Sequence, residues 1–485
     1  MILNLILALL TGGLMVLLFP PFNLPLLAPF VVAPLIFAAA REPRWKLRFA
    51  YGYLAGFAYW FGLTNWIHST LAKYGGVGPP GAWALFVLLC MAKALQMGAF
   101  SALLRPVLQS RFGIPAVAAL WVAIEWTQIW VGFEWLNLGN AGQEMSVLAK
   151  LAPITGVWGM SFAFALMSTV VAGILLKRRL VSLWLLAFAL LAILPELPAP
   201  DKGSRGAVAV QPNLENDTIW TPELAATVGD RLADLSFAAV HGRDADFIVW
   251  PEMPLTLRYE DPGTLALAAK VTASSGGAAL LTGSVSRAFG QLPYNSALLV
   301  GTNGKVISRY DKINLVPFGE YVPKPFDFLV NKISTEAGDY RPGSRITVPT
   351  SKGHRSGTFI CYEAVYPDFV RQFTLRGAEV LFNISNDGWA GSMAARHQHL
   401  QVARMRAVEN GRWLVRVTND GVTAVVDPAG RITNTLPEEK EAAMRFRFNY
   451  RSDLTIYTRF GDWFVLLCAL AATASGLAGL RTPTR

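Results

Sequence analysis

Cysteine is scarce in this chain, with 3 among 485 residues. Cys90 and Cys468 lie inside long apolar runs, where a thiol behaves as a small hydrophobe. That leaves Cys361 alone in ordinary mixed sequence, and no disulfide framework can be built from one cysteine. Charge is scarce as well. Only 16% of residues are charged and 53% are hydrophobic, against roughly 25% charged for soluble globular proteins. That composition excludes a soluble globular chain. There is no dense basic run and no nucleic-acid-binding motif, so the net charge of +10 requires no nucleic acid. The first apolar run has neither a basic segment before it nor a small-x-small cleavage site after it, which sets it apart from a signal peptide. No internal repeat suggests a transporter.

Long apolar runs are what the chain has in abundance. Seven precede a mixed region, at about 3–20, 24–40, 48–67, 81–104, 114–133, 149–176 and 180–197, and an eighth covers about 460–480. Each approaches or exceeds the ~17–25 residues that cross a bilayer, so an eight-span helical bundle is predicted. Basic residues follow every even-numbered run: Arg41, Arg44, Lys46 and Arg48; Arg105 and Arg111; Lys177, Arg178 and Arg179; Arg481 and Arg485. Positive loops stay in the cytoplasm. Both termini are therefore expected there, with the mixed region outside. The predicted organisation is a seven-helix bundle over 1–197, an external domain over 198–455, and an eighth helix with a short tail over 456–485. An external compartment is oxidising. A solitary thiol there is a liability unless it has a task, which favours a functional Cys361 over a buried structural one.

Within the mixed region, helices and strands alternate. Strands are predicted at 207–211, 246–250, 278–284, 296–302, 306–311, 356–361 and 379–384, and helices at 222–240, 263–274, 367–376 and 397–410. A hairpin turn falls at Asn303-Gly304, and a second hairpin spans 413–427. This pattern implies an α/β layered sandwich. Glu252, Lys312 and Cys361 each stand just beyond an apolar strand, the place where catalytic groups gather in α/β folds. Singly, Glu252 reads as well as a turn residue and Lys312 as a solvated loop lysine. Three such groups in one domain favour a site.

Glu, Lys and Cys in that order on such strands resemble the triad of the nitrilase superfamily. Trp250-Pro251-Glu252 is similar to its glutamate motif, Asp311-Lys312 to its lysine motif and Cys361-Tyr362-Glu363 to its nucleophile motif. A longer run, Leu315-Val316-Pro317-Phe318-Gly319-Glu320-Tyr321-Val322-Pro323, resembles a narrower family, the apolipoprotein N-acyltransferases. So do Gln211-Pro212-Asn213, Asn383-Ile384-Ser385-Asn386-Asp387-Gly388-Trp389 and Arg406-Ala407-Val408-Glu409-Asn410-Gly411-Arg412.

The resemblance implies an α-β-β-α sandwich on an eight-span bundle, in the bacterial inner membrane with the catalytic domain on the periplasmic side. It implies an acyltransferase without metal or cofactor, expected as a monomer, with a phospholipid donor and a diacylglyceryl-lipoprotein acceptor. The implied roles are Cys361 as nucleophile, with its thiol pKa lowered by Lys312 and by the helix after Pro367, and Glu252 as proton carrier. Lys312 and the amide of Tyr362 would stabilise the oxyanion. Glu320 would hold the lysine, Glu363 would shape the pocket, and Trp220 would belong to the lid region. A membrane-tethered amidase using water and a non-catalytic lipid-binding scaffold are the competing classes. The intact triad disfavours the scaffold, and the spans with the 315–323 run disfavour the amidase.

A loop over 317–343 carries Phe318, Phe326, Phe328, Leu329 and Val330, an apolar set suited to entering lipid. His397-x-His399 has metal-ligand spacing without further ligands nearby in sequence. Lys93 and Glu125 sit inside apolar runs, where charges pair or line a cavity. Gly12-Gly13 and Gly52-x-x-x-Gly56 suit close helix packing.

Overall fold

In the computed structural model the apolar runs are helical and the mixed region is built of two sheets flanked by helices. The structure describes residues 1–481 except 131–132, 216–217, 243, 256–257, 259, 287–291 and 323–339. The apolar cluster Phe326, Phe328, Leu329 and Val330 and the tail residue Arg485 lie outside the described residues. The chain divides into two compact units. One comprises Met1–Ser69, Pro79–Leu197 and Phe460–Arg485, and the other Thr70–Gly78 and Pro198–Arg459.

The first unit contains α1 (Ile2–Leu17), α2 (Ala33–Arg41), α3 (Trp45–Leu63), most of α5 (Gly78–Gln109), α6 (Gly113–Trp126), the short α7 (Ser146–Ala149) and α8 (Ala152–Thr155), α9 (Val157–Leu175) and a last helix, Trp463–Arg481; α4 (Trp66–Tyr74) lies across the boundary. Among the described residues three helices, α5, α9 and the last one, are long and apolar enough to cross a membrane. The other apolar runs form shorter or less apolar helices, so the expected count of eight crossings goes beyond these three. The run at 24–40 is divided into a 3-10 turn at Pro25–Leu27 and the nine-residue α2, because Pro25, Pro29 and Pro34 each lack a backbone donor. The run at 180–197 forms tight 3-10 turns over Val181–Ile193. Gly52 and Gly56 let α3 lie directly on α5. A Cβ at Gly52 would fall 2.1 Å from the Met97 carbonyl oxygen, and one at Gly56 3.0 Å from the Ala94 Cα. Lys93 and Glu125 find separate partners. The Lys93 ammonium donates to the Phe133 carbonyl at 2.8 Å and lies 4.6 Å from the Trp60 ring centroid. Glu125 accepts the Leu138 amide at 2.7 Å. Arg48 and Arg178, from two different basic loops, donate to the Ala102 and Leu108 carbonyls at the C-terminal end of α5.

In the second unit, the first sheet comes from β1 (Arg205–Gln211), β2 (Phe247–Val249), β3 (Ala279–Ser286), β4 (Tyr294–Val300) and β5 (Val306–Asp311). The second comes from β6 (Thr350–Ser351), β7 (His354–Ile360), β8 (Val380–Ser385), β9 (Leu414–Thr418), β10 (Ala424–Val426) and β11 (Ile432–Thr435); β12 (Ala442–Phe448) returns to the first. The spatial orders are β12-β1-β2-β3-β4-β5 and β11-β10-β9-β8-β7-β6. In each sheet three parallel strands are followed by two antiparallel ones. The parallel strands are linked by helices, α10 (Pro222–Val240) and α11 (Pro262–Ala273) in the first, α12 (Pro367–Leu375) and α13 (Met393–Asn410) in the second. The unit is thus a repeated β-α-β-α-β-β-β order, a relation the sequence does not advertise. Both sheet faces are covered, so the strands read as unbroken apolar runs. Val208, Val210, Ile248 and Leu280 pack outward against Leu232, Ala233 and Val271 of the helices. Phe247 turns the other way and meets Phe382 of β8 at 4.8 Å between ring centroids, edge to face. The edge strands β11 and β12 went unpredicted. In β12 a period of two was visible, with Phe446 and Phe448 buried and Arg447 between them exposed, but its partner β1 lies over 200 residues away.

Candidate active site

The strand ends place the site. After β2 the ladder continues for one residue, as the Trp250 amide donates to the Leu281 carbonyl at 2.8 Å. Trp250 is buried, and its indole N–H donates to the Ser236 hydroxyl of α10 at 3.0 Å. Pro251 then ends the strand, and its carbonyl accepts the Gly283 amide at 3.1 Å. Only glycine fits at 283, since a Cβ there would lie 2.2 Å from the Met253 nitrogen. The turn is held on both sides, and Glu252 projects from it with 4% exposure.

Lys312 follows β5 directly. Its amide donates to the Asn295 carbonyl at 2.8 Å, and its carbonyl accepts the Gly343 amide at 2.7 Å. The ammonium lies 3.2 Å from Glu252 Oε1 and 2.9 Å from Glu320. Glu320 sits in a tight turn and accepts the Val316 amide at 2.8 Å through its other oxygen. Asn295 Nδ2 donates to both carboxylates, at 2.7 Å to Glu252 and 2.8 Å to Glu320. The second oxygen of Glu252 accepts the Asn386 amide at 2.8 Å. Asn295 was not singled out from the sequence, and Asn386 only as a member of the 383–389 run. An asparagine at a strand edge carries no pattern of its own, and only the sheet pairing brings it here.

Cys361 begins a 3-10 turn just beyond β7. Its φ is +50°, a left-handed conformation that costs a non-glycine residue about 1–3 kcal/mol. Glu363 braces this turn. One of its oxygens accepts the Ile360 amide at 2.8 Å; the other accepts the Tyr310 hydroxyl at 2.7 Å and the Ile313 and Asn314 amides at 2.7 and 3.1 Å. It thereby joins the strand end before the cysteine to the segment after Lys312. Burial pushes the Glu363 carboxyl up to about 7, against those donors. Tyr362 is buried edge-on against Tyr366, 5.5 Å between centroids. Trp220 packs against the apolar core between the helices and the first sheet.

The electrostatics of the thiol differ from expectation. Burial pushes the Cys361 thiol up, the charge of Glu252 adds to this, and Lys312 opposes it without prevailing. A lysine between two carboxylates has much of its charge already answered, and its downward pull on the thiol is outweighed. Burial by itself would push the Lys312 ammonium down, but Glu252 and Glu320 hold it well above the ordinary lysine range. Beneath the cysteine lies a second cluster. His399, Asp387 and the Cys361 sulfur lie within 4.8 Å of one another. Arg416 Nη2 donates to Asp387 at 2.6 Å. Asp387 is held well below the usual carboxylate range, where Arg416 and His399 outweigh the effect of burial. His397, by contrast, faces Glu438 at 3.0 Å, so the two histidines of the H-x-H pair do not converge.

A buried thiol at a strand end, with a buried glutamate and lysine whose charges bear on it, sits in a unit of two sheets flanked by helices, the architecture of a carbon-nitrogen hydrolase domain. The family model for the carbon-nitrogen hydrolases matches residues 207–445, and that for the apolipoprotein N-acyltransferase N-terminal domain matches residues 11–170. The chain is 32% identical to the apolipoprotein N-acyltransferase of Geobacter metallireducens over 98% of its own length and 95% of that protein's. Against the apolipoprotein N-acyltransferase of Azotobacter vinelandii the identity is 34%, with the same coverage. The chain belongs to the apolipoprotein N-acyltransferase family. Among solved structures, an amidase of the nitrilase superfamily from Nesterenkonia AN1 aligns with 54% of this chain and 95% of its own, at 19% identity and a TM-score of 0.40.

Proposed function

We propose that this chain moves an acyl chain from the sn-1 position of a glycerophospholipid to the N-terminal α-amine of an S-diacylglyceryl-cysteine on a lipoprotein. The route is a thioester on Cys361. The observation that carries this reading is the buried Glu252–Lys312–Glu320 cluster, whose charges act on the Cys361 thiol, in a chain that matches N-acyltransferases nearly end to end.

In the first half-reaction Cys361 Sγ bonds to the ester carbonyl carbon while its proton passes to Glu252. The ester C–O bond then breaks, and the leaving glycerol oxygen takes that proton to give a lysophospholipid. In the second, Glu252 removes the excess proton of the acceptor ammonium. The amine attacks the thioester, the C–S bond breaks, the proton held by Glu252 passes to sulfur, and the nitrogen gives its second proton to the freed Glu252 carboxylate and on to solvent. With burial and Glu252 both raising the thiol, proton transfer accompanies attack, which is the task of a positioned general base. Lys312 and the Tyr362 amide meet the negative charge that grows on the carbonyl oxygen.

Both substrates carry acyl chains, and drawing one into water costs ~0.8 kcal/mol per CH₂. A site tied to the membrane avoids that cost. We place the segments 1–197 and 456–485 in the bacterial inner membrane as eight spans, with the 198–455 domain on the periplasmic side. The basic loops support this orientation, as does the meeting of Arg48 and Arg178 at one end of α5. All members of the cluster belong to one chain, so the reading requires no second subunit. Mass spectrometry of the purified protein after incubation with phospholipid tests it. A mass increase of one acyl chain on Cys361, absent in Cys361→Ala, is expected. Transfer at the wild-type rate by Cys361→Ala would overturn the thioester route, and release of free fatty acid with the amine acceptor ignored would make the chain a hydrolase.

A further inference from the structure

We propose that His399 is a positioning residue that holds the Cys361 carbonyl, and with it the left-handed backbone of the nucleophile, on a brace anchored by Asp387 and Arg416. The proposal rests on Cys361 being the nucleophile. His399 Nε2 faces the Cys361 carbonyl oxygen at 3.0 Å. A carbonyl only accepts, so in either charge state of the imidazole Nε2 carries the proton and donates. Nδ1 lies 3.1 Å from Arg416 Nη2 and 3.0 Å from Asp387 Oδ1. Asp387 also accepts the Ser385 hydroxyl at 2.8 Å, and Arg416 Nη1 reaches the Asn383 side-chain oxygen. The histidine comes from α13, the asparagine and serine from β8 and the arginine from β9, and His399, Asp387 and Arg416 are all buried.

Three elements, α13, β8 and β9, thus build a network that ends on one backbone carbonyl, and that carbonyl belongs to a residue with φ of +50°. Strained backbone persists only where its surroundings over-determine it. The peptide plane adds a consequence. In a trans peptide the C=O and the following N–H point in opposite directions, so fixing the Cys361 oxygen also aims the Tyr362 N–H. Cys361, Asp387 and His399 together have the types of a metal site. Here the imidazole nitrogens are turned to a carbonyl on one side and to an Arg–Asp pair on the other, which is the geometry of a hydrogen-bonded brace.

The test compares three substitutions by the rate at which acyl mass appears on Cys361 in quenched single turnovers with phospholipid in detergent micelles. His399→Leu removes the donor. His399→Asn replaces it with an amide too short to reach the carbonyl from the Nε2 side. His399→Gln supplies an amide N–H near the Nε2 position. Leu and Asn are expected to slow acylation on the order of 10²-fold, the loss typical of a reacting group displaced by about 1 Å, with the phospholipid concentration for half-maximal rate unchanged. Gln is expected to recover most of the rate. Wild-type acylation rates in Asn, or equal loss in Asn and Gln, would overturn the brace, even if Leu fails to fold. Wild-type protein that gains no acyl mass on Cys361 would instead remove the nucleophile reading itself, a result distinct from either.

Discussion

In the first sheet Glu252 follows the second parallel strand, β2; in the second sheet Asp387 follows the equivalent strand, β8. The same position in the repeated order holds a buried carboxylate in both halves, yet the surroundings differ. Glu252 shares the Lys312 ammonium with Glu320, so two carboxylates face one cation. Asp387 faces the Arg416 guanidinium, and the neighbouring imidazole is pushed down by burial and by Arg416. The first cluster sets two carboxylates against one cation, and in the proposed mechanism it moves protons. The second sets one carboxylate against one guanidinium, and in the proposed brace it fixes geometry. On these two proposals one architecture serves chemistry or rigidity according to whether its buried charges cancel.

This contrast can be broken by experiment. The largest effect is expected at Glu252. Glu252→Gln cannot take the thiol proton, and the rate of acyl-enzyme formation should fall by about 10²–10⁴-fold, while thermal unfolding in detergent stays close to wild type because Lys312 still pairs with Glu320. Acylation at the normal rate would remove Glu252 from the proton path. Asp387→Asn should do the reverse on stability. It leaves the fully buried Arg416 charge unanswered, and removing one partner of a buried pair costs about 3–5 kcal/mol. An Asp387→Asn protein that melts with the wild type would erase the distinction between the clusters.

Lys312→Met should lower turnover by about 10²–10³-fold, the loss typical of a missing oxyanion donor, with phospholipid affinity little changed; a loss confined to affinity would assign the lysine to binding. The smallest expected effect concerns the thiol itself. Its alkylation by iodoacetamide should titrate above the ordinary thiol range of about 8.5, as burial and Glu252 both raise it. Removing the nearby negative charge makes ionisation easier, so Glu252→Gln should shift the midpoint down, and Lys312→Met should shift it up, each by on the order of one unit. Shifts in the opposite sense would mean that the two side chains do not act on the thiol through their charges.

Several features were legible in the residue order alone, because they depend on neighbours. The alternation of strands and helices follows from local apolar periodicity, and the expected strands at 207–211, 306–311 and 379–384 fall within a residue or two of β1, β5 and β8. Glu252, Lys312 and Cys361 stood out since each interrupts an apolar run at a strand end. The membrane character followed from composition, but the shape of each span did not. Hydropathy counts side chains, whereas helix continuity depends on backbone donors, which the prolines of 24–40 withhold. The expectation for the cysteine failed for a related reason. A nearby lysine suggested a lowered thiol pKa, and Lys312 does pull in that direction, but burial and the charge of Glu252 push the thiol up more strongly.

Sequence by itself determined the layered α/β class and the apolar runs, and it marked out the three side chains of the proposed triad, all properties carried by adjacent residues and their periodicity. Only the tertiary structure decided which residues stand around them. Asn295 bridges two glutamates, Asp387 and Arg416 cancel each other, and His399 reaches a backbone carbonyl 38 positions away. Asn295 and Arg416 belong to no motif, and the 383–389 run and the His397-x-His399 pair do not announce the contacts of Asp387 and His399. Each acquires its place from strand register and helix packing, and its charge state from the low-dielectric surroundings that the folded chain creates.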